Sequence, residues 1–142
     1  MYDEILLATD GSEPSSRAAD HAVEQARAFD ARLHVLHAVS PRVFDVFSSD
    51  DVRGAIDEAT ERGERLVGEL EERAGSEDID VVTTVEQRAP HKAIAEYAEE
   101  NDIDLVVMGS RGSSEKSIGD RLLGGVSSKV VYTSDVPVLT VH

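Results

Sequence analysis

Short apolar runs alternate with segments of helical periodicity along the whole chain, and this alternation limits the possible folds more than any other feature. The apolar runs predict five strands, at residues 4–8, 33–39, 79–85, 104–108 and 136–141. Helical patterns separate most of these runs. Strands that alternate with helices form a parallel sheet covered by helices on both faces. The sequence therefore predicts a doubly wound α/β fold.

The order of the strands follows from the handedness of their connections. Crossovers between parallel strands are right-handed. If strands one to three wind one way and strands four and five the other, the order is 3-2-1-4-5. Ligands bind such sheets at the carboxyl ends of the strands, beside the point where the winding reverses. The loops predicted to meet there carry Asp10 and the Gly109/Gly112 turn.

Four helices are predicted between the strands. Ser12 is placed to cap the first helix, which extends to Phe29, and residues 40–51 form a loop that carries Phe44 and Phe47. The other helices are predicted at about 52–74, 90–101 and 125–134. The second has an apolar stripe of Val52, Ile56, Ala59, Gly63, Leu66, Val67, Leu70 and Ala74. Its exposed face carries the i,i+4 pairs Glu58/Arg62, Glu61/Arg65 and Glu69/Arg73.

Two glycine-bearing segments lie around the last predicted loop. Met108-Gly109-Ser110-Arg111-Gly112 follows the fourth strand, and Gly124-Gly125-Val126-Ser127 opens the last helix. Glycines let backbone N–H groups approach phosphate oxygens, and the dipole of a helix favours an anion at its N-terminus. The pattern predicts an anion site. The simpler alternative is a tight turn that closes an α/β unit.

Charge and composition exclude several classes of partner. The formal charge is −15, with 29 acidic residues spread along the chain and only three lysines. Such a chain repels nucleic acid and anionic membranes, and it suits concentrated salt, where repulsion is screened. We therefore expect the protein of a halophilic cell. We also expect it to be cytoplasmic, because the sequence has neither a membrane-length apolar run nor a signal segment. Cysteine is absent as well, so disulfides and thiolate metal sites are not available.

The sequence offers little support for catalysis or for a protein-bound metal. The Gly-x-Ser-x-Gly and P-loop patterns are absent, so we expect any bound nucleotide to be hydrolysed slowly at most. A phosphoacceptor receiver domain is excluded too, because it needs paired acids after the first strand. His34 and His37 lie three residues apart on one predicted strand. Their side chains are therefore expected on opposite faces of the sheet, where they could not bind the same metal ion.

These segments together resemble the universal stress protein family over essentially the whole chain. The similar elements are Ile5-Leu6-Leu7-Ala8-Thr9-Asp10-Gly11-Ser12, Leu36-His37-Ala38-Val39, the Met108–Gly112 glycine turn, Leu122-Leu123-Gly124-Gly125-Val126-Ser127, and the closing 136–141 strand. The resemblance implies one Rossmann-like domain at residues 1–142. It also implies a role as a stress sensor or regulator with an unidentified protein partner.

Some members of that family bind ATP, and the resemblance indicates which residues would do so here. Asp10 would lie near the ribose or, through Mg²⁺ or Mn²⁺, near the phosphates, and Ala38 would lie against adenine. The implied nucleotide site comprises Ala8, Thr9, Asp10, Ala38, Met108, Gly109, Arg111, Gly112, Gly124, Gly125, Val126 and Ser127. The alternatives are a helix cap for Asp10 and ordinary core for Ala38 and Met108.

Two departures from the family pattern favour a second hypothesis. ATP-binding members have nine residues between the second and third glycines and then Ser or Thr. This chain has eleven residues (113–123), and then Gly125 stands where the hydroxyl is expected. The alternative is a member that does not bind ATP and acts through protein contacts alone.

The last strand is predicted to lie at an edge of the sheet. Residues 136–141 carry no charge, and a bare apolar edge favours aggregation. Pairing with the same strand of a second copy would cover this edge with two-fold symmetry. The sequence and the resemblance therefore predict a homodimer through strand 136–141.

Overall fold

A computed structural model describes residues 1–40, 49–110 and 125–142. Strands and helices alternate within these ranges. The strands are β1 (Glu4–Ala8), β2 (Arg32–Ala38), β3 (Val81–Glu86), β4 (Leu105–Gly109) and β5 (Val138–Val141). The helices are α1 (Glu13–Phe29), α2 (Ser49–Gly75), α3 (Pro90–Glu100) and α4 (Gly125–Thr133).

The strands form one parallel sheet in the order β3-β2-β1-β4-β5. Leu7 of β1 is in register with Val35 of β2 on one side and Val107 of β4 on the other. The predicted doubly wound fold and its strand order are confirmed. The winding reverses between β1 and β4, as predicted.

Apolar side chains pack on both faces of the sheet. Helices α1 and α2 cover one face, where Ile5, Leu7 and Val107 are fully buried. The opposite face packs Leu6, Leu36 and Val106 against α3 and α4. Full burial of one such side chain stabilises the fold by about 1.5–3 kcal/mol. The core therefore fixes β1, which leads into the turn that carries Asp10, more firmly than any edge strand.

Several predicted boundaries are wrong by a few residues. Helix α2 begins at Ser49, so the end of the predicted 40–51 loop is helical, and Phe44 and Phe47 lie outside the described residues. β3 begins at Val81 instead of Ile79, because the Ile79 N–H bonds back to the Ala74 carbonyl as part of the α2 terminus. β2 spans Arg32–Ala38 instead of 33–39, and β5 begins at Val138 instead of residue 136.

The predicted ion pairs along α2 are also wrong. Arg73 pairs with Asp20 of α1 at 2.5 Å instead of with Glu69, because the Asp20 carboxylate lies within reach of its guanidinium. The salt bridges seen in the described part of the chain do not include the other two predicted pairs.

The apolar stripe of α2 faces inward, with Gly63, Val67 and Ala74 buried; the side chain of Val52 lies outside the described residues. In residues 1–40, 49–110 and 125–142, no helix has the length and apolarity needed to cross a membrane.

Candidate functional site

The carboxyl ends of β1 and β4 come together with the first turn of α1. Ala8 is in register with Met108. A Cβ atom added to Gly109 would lie 2.9 Å from the Ser15 backbone nitrogen and 3.0 Å from Pro14 Cβ. Because the nearest neighbour is a backbone atom, it cannot swing aside. Glycine at residue 109 therefore lets β4 lie directly against the start of α1.

Hydrogen bonds within the β1–α1 turn hold Asp10 at the edge of the sheet. Ser12 is the N-cap of α1 and its hydroxyl accepts the Ser15 N–H, as the sequence predicted. Asp10 therefore does not cap the helix. Its Oδ1 accepts the Ser12 N–H at 2.9 Å, an Asx-turn arrangement. Gly11 has a φ of 79°, a conformation that favours glycine. The exposed Asp10 carboxylate is thus held in place by its own turn.

The N-terminus of α4 is tied to the end of β4. The Ser127 hydroxyl donates to the Ser110 carbonyl at 2.6 Å, and Gly125 begins the helix with a φ of 64°. The first N–H groups of a helix have no acceptor within it, and they carry partial positive charge. The first turn of α4 therefore brings backbone donors close to Ser110 at the end of β4, while the Ser127 hydroxyl itself donates to the Ser110 carbonyl.

Small apolar side chains lie on the face of the sheet that packs against α3 and α4. Ala8 and Ala38 are half-buried, and Met108 is almost completely buried in the same cluster. Met108 is thus a core residue as well as part of this edge. Thr9 is buried on the opposite face, where its hydroxyl bonds with that of Ser15 at 3.2 Å. Arg111, Gly112 and Gly124 lie outside the described residues.

Comparison with known proteins assigns this arrangement to a family. The model of the universal stress protein family matches residues 1–142. The chain belongs to this family. A universal stress protein of Thermus aquaticus is 38% identical over 142 residues, which cover 100% of both chains.

Two solved universal stress protein folds are similar over nearly the whole chain. The hypothetical protein MJ0577 of Methanocaldococcus jannaschii superposes with a TM-score of 0.84 at 27% identity, covering 99% of this chain and 96% of that one. A universal stress protein solved in complex with cAMP has a TM-score of 0.71 and 30% identity, with 99% and 97% covered.

Two histidines of this family member have roles that the sequence did not predict. On the α3 face, His34 is buried, with Nε2 at 2.6 Å from Glu4 Oε2 and Nδ1 at 2.7 Å from the Tyr97 hydroxyl. On the α2 face, His37 Nδ1 lies 2.8 Å from the Thr9 carbonyl oxygen. The opposite orientation of the two rings is confirmed. Period-two alternation along β2, combined with its register to β1, could have placed His37 beside Thr9.

Burial changes the pKa of Tyr97, whose hydroxyl contacts His34 on the α3 face. Burial raises the pKa of the Tyr97 hydroxyl, although a hydrogen bond with Thr84 opposes this shift.

At the end of β4, Ser110 contacts His142, with 2.9 Å between Oγ and Nδ1. Within the described ranges, no group of three or more His, Asp or Glu side chains could hold a metal ion.

Proposed function

We propose that this universal stress protein binds an adenine nucleotide at the carboxyl ends of β1 and β4 and acts as a stress sensor or regulator. The contact of Gly109 with the first turn of α1 carries the proposal. It shows that the β1–α1 turn, which carries Gly11, and the turn after β4, which carries Gly109, meet where the winding of the sheet reverses. The complex of a relative with cAMP, at 30% identity, supports an adenine nucleotide as the ligand.

The roles of individual residues follow from their position in this edge. Adenine would lie against Ala8 and Ala38, whose side chains are half-buried. The phosphates would accept hydrogen bonds from the backbone at Gly125 and Val126, where the helix dipole favours an anion. Asp10 would accept from the ribose hydroxyls or, with ATP, bind Mg²⁺ or Mn²⁺ held by the phosphates. Gly112, Gly124 and Arg111 stay predicted members of the site.

The first prediction concerns stabilisation by the nucleotide. A ligand selective for the folded state raises the free energy of unfolding by about 2.7 kcal/mol at a free concentration 100 times its Kd. We expect cAMP or ATP with Mg²⁺ to raise the melting temperature in molar KCl, and GTP to do so less. Differential scanning fluorimetry and titration calorimetry measure both effects.

A pair of variants separates the site from general charge effects. Asp10→Asn should weaken binding of ATP with Mg²⁺. The control Asp135→Asn removes the same charge from an exposed residue in the α4–β5 connection, before the first residue of β5, and should bind as the wild type does. If calorimetry detects no binding at millimolar nucleotide, the alternative takes over: a family member that acts through protein contacts alone.

We further propose that two copies pair through β5. This strand lies at the end of the sheet, and its residues Val138–Val141 are all only half-buried. Val131 and Tyr132 of the neighbouring α4 are 52% and 89% exposed. A second copy with the same apolar edge would cover these groups, since two-fold pairing joins identical surfaces.

The second prediction tests this pairing. We expect light scattering in molar KCl to give a mass of about twice the 15.4 kDa of one chain. Leu139→Lys should shift the protein to the monomer, because it introduces a charge into the paired edge. Val82→Lys is the matched control at the opposite edge strand, β3. A wild-type mass of one chain at high protein concentration would contradict the dimer.

A further inference from the structure

His37 contacts the turn that carries Asp10 from the face of the sheet opposite to Ala38. Its Nδ1 lies 2.8 Å from the Thr9 carbonyl oxygen. A carbonyl only accepts hydrogen bonds, so Nδ1 carries the proton and donates it. The backbone N–H of Thr9 in turn donates to the Leu36 carbonyl at 3.0 Å. Strand β2 therefore holds both backbone polar groups of Thr9.

Helix α2 leaves space for the His37 ring at Gly63. A Cβ atom at residue 63 would lie 2.4 Å from His37 Cδ2 and 3.1 Å from Nε2, too close for either atom to stay in place. One turn further along α2, Leu66 Cδ2 lies 3.5 Å from the position of a Cβ on Gly11. The same side of α2 thus lies near both ends of the turn, beside Gly11 and, through the His37 ring, beside Thr9.

The bond from His37 also fixes the orientation of Asp10. The Thr9 carbonyl belongs to the planar trans peptide that joins Thr9 to Asp10, in which the N–H points away from the C=O. Holding the carbonyl towards the His37 ring therefore directs the Asp10 N–H away from that ring. A change in the position of the His37 ring would rotate this peptide and move the Asp10 carboxylate.

We propose that His37 is a positioning residue for the nucleotide-binding turn, and that α2 sets the position of His37 through the missing side chain of Gly63. This inference rests on the proposed function, because it concerns the affinity of the same site. It assigns α2 a part in nucleotide binding, although Gly63 reaches the turn only through another residue.

Two pairs of variants test the proposal. His37→Leu removes the donor, whereas His37→Asn keeps an N–H donor close to the position of Nδ1. Gly63→Ala places a methyl group against the ring, whereas Gly68→Ala is the matched control on the same helix, where a Cβ meets no atom within 4 Å. Affinities for cAMP and for ATP with Mg²⁺ are measured by titration calorimetry in molar KCl, and melting temperatures are measured alongside.

We expect His37→Leu and Gly63→Ala to lower nucleotide affinity by about fivefold to tenfold, the effect of one lost hydrogen bond. His37→Asn should stay within about threefold of the wild type. Gly68→Ala should bind as the wild type does and melt at the same or a higher temperature, because alanine favours the helix. In nucleotide-free protein, amide hydrogen exchange at Asp10–Ser12 should be faster in His37→Leu than in His37→Asn.

The outcomes separate this inference from the proposed function. If the wild type binds and all four variants bind equally well, His37 does not position the turn, although the nucleotide site stands. If His37→Asn loses as much affinity as His37→Leu, the hydrogen bond is not what matters and the proposal is overturned. If the wild type binds no nucleotide, both proposals fall. Should Gly63→Ala not fold, the two His37 variants decide the question.

Discussion

Replacement of His34 by alanine is expected to lower the free energy of unfolding by about 3–5 kcal/mol. The ring is 4% exposed and joins three elements, because its two nitrogens contact Glu4 of β1 and Tyr97 of α3. Removing it opens a cavity between β2 and α3, takes one of two partners from the Tyr97 hydroxyl, which also bonds with Thr84, and takes the His34 partner from Glu4 Oε2. Buried polar groups that lose a partner retain the full cost of their desolvation.

Denaturant unfolding at one fixed KCl concentration measures this loss. His21→Ala is the matched control, since His21 is exposed on α1, and it should change stability by less than about 0.5 kcal/mol. Tyr97→Phe removes only the hydroxyl and should cost about 1–3 kcal/mol. A loss below about 1 kcal/mol for His34→Ala would contradict the view that this buried group stabilises the fold.

Thermal stability is expected to rise steeply between dilute buffer and molar KCl. The chain carries a formal charge of −15 on 142 residues, and like charges on a compact surface destabilise it. The Debye length falls from about 30 Å at 0.01 M salt to about 3 Å at 1 M. Repulsion across the whole molecule acts at the first concentration and is almost abolished at the second.

Charge-neutralising variants distinguish screening from a general effect of concentrated salt. Glu99→Gln and Glu100→Gln at the exposed end of α3 should raise the melting temperature in dilute buffer and have little effect in molar KCl. Replacing KCl by an equal osmolality of sucrose should not reproduce the salt curve. A flat dependence on KCl would remove the argument for a halophilic cell.

The strands could be predicted from the sequence because buried parallel strands consist of continuous runs of apolar residues. Leu6 and Val106 belong to continuous apolar runs, which is what a parallel strand covered on both faces requires. Element ends were less predictable. Asp78 takes a left-handed φ of 60°, and the Ile79 N–H bonds back to Ala74 at the end of α2, although the apolar run had assigned Ile79 to a strand. The ion pair predicted between Arg73 and Glu69 was also wrong, since Arg73 pairs with Asp20 of α1.

For the candidate site, the sequence predicted the loops but not what supports them. Gly109 directly follows one apolar run and Asp10 follows another after a single residue, Thr9, so their place at the carboxyl edge followed from topology. The contact of Gly109 with Ser15 could not be predicted, because helix-to-strand distances are absent from local patterns. His37 and Gly63 were assigned to a strand and to an apolar stripe. Their contact depends on the register between α2 and β2, which neither segment encodes alone.

A methyl group at residue 109 or at residue 63 would approach a neighbouring atom to less than 3.0 Å, yet the two positions differ in how a second substitution could compensate. At Gly109 the obstacle is the backbone of α1, so no change of a neighbouring side chain would create the space. At Gly63 the obstacle is the His37 ring, so a smaller residue at 37 would relieve it. The effect of a substitution at Gly63 should therefore depend on the residue at position 37, and a double substitution at 63 and 37 should be tolerated. No second substitution should compensate in this way at Gly109, where the nearest atom belongs to the backbone.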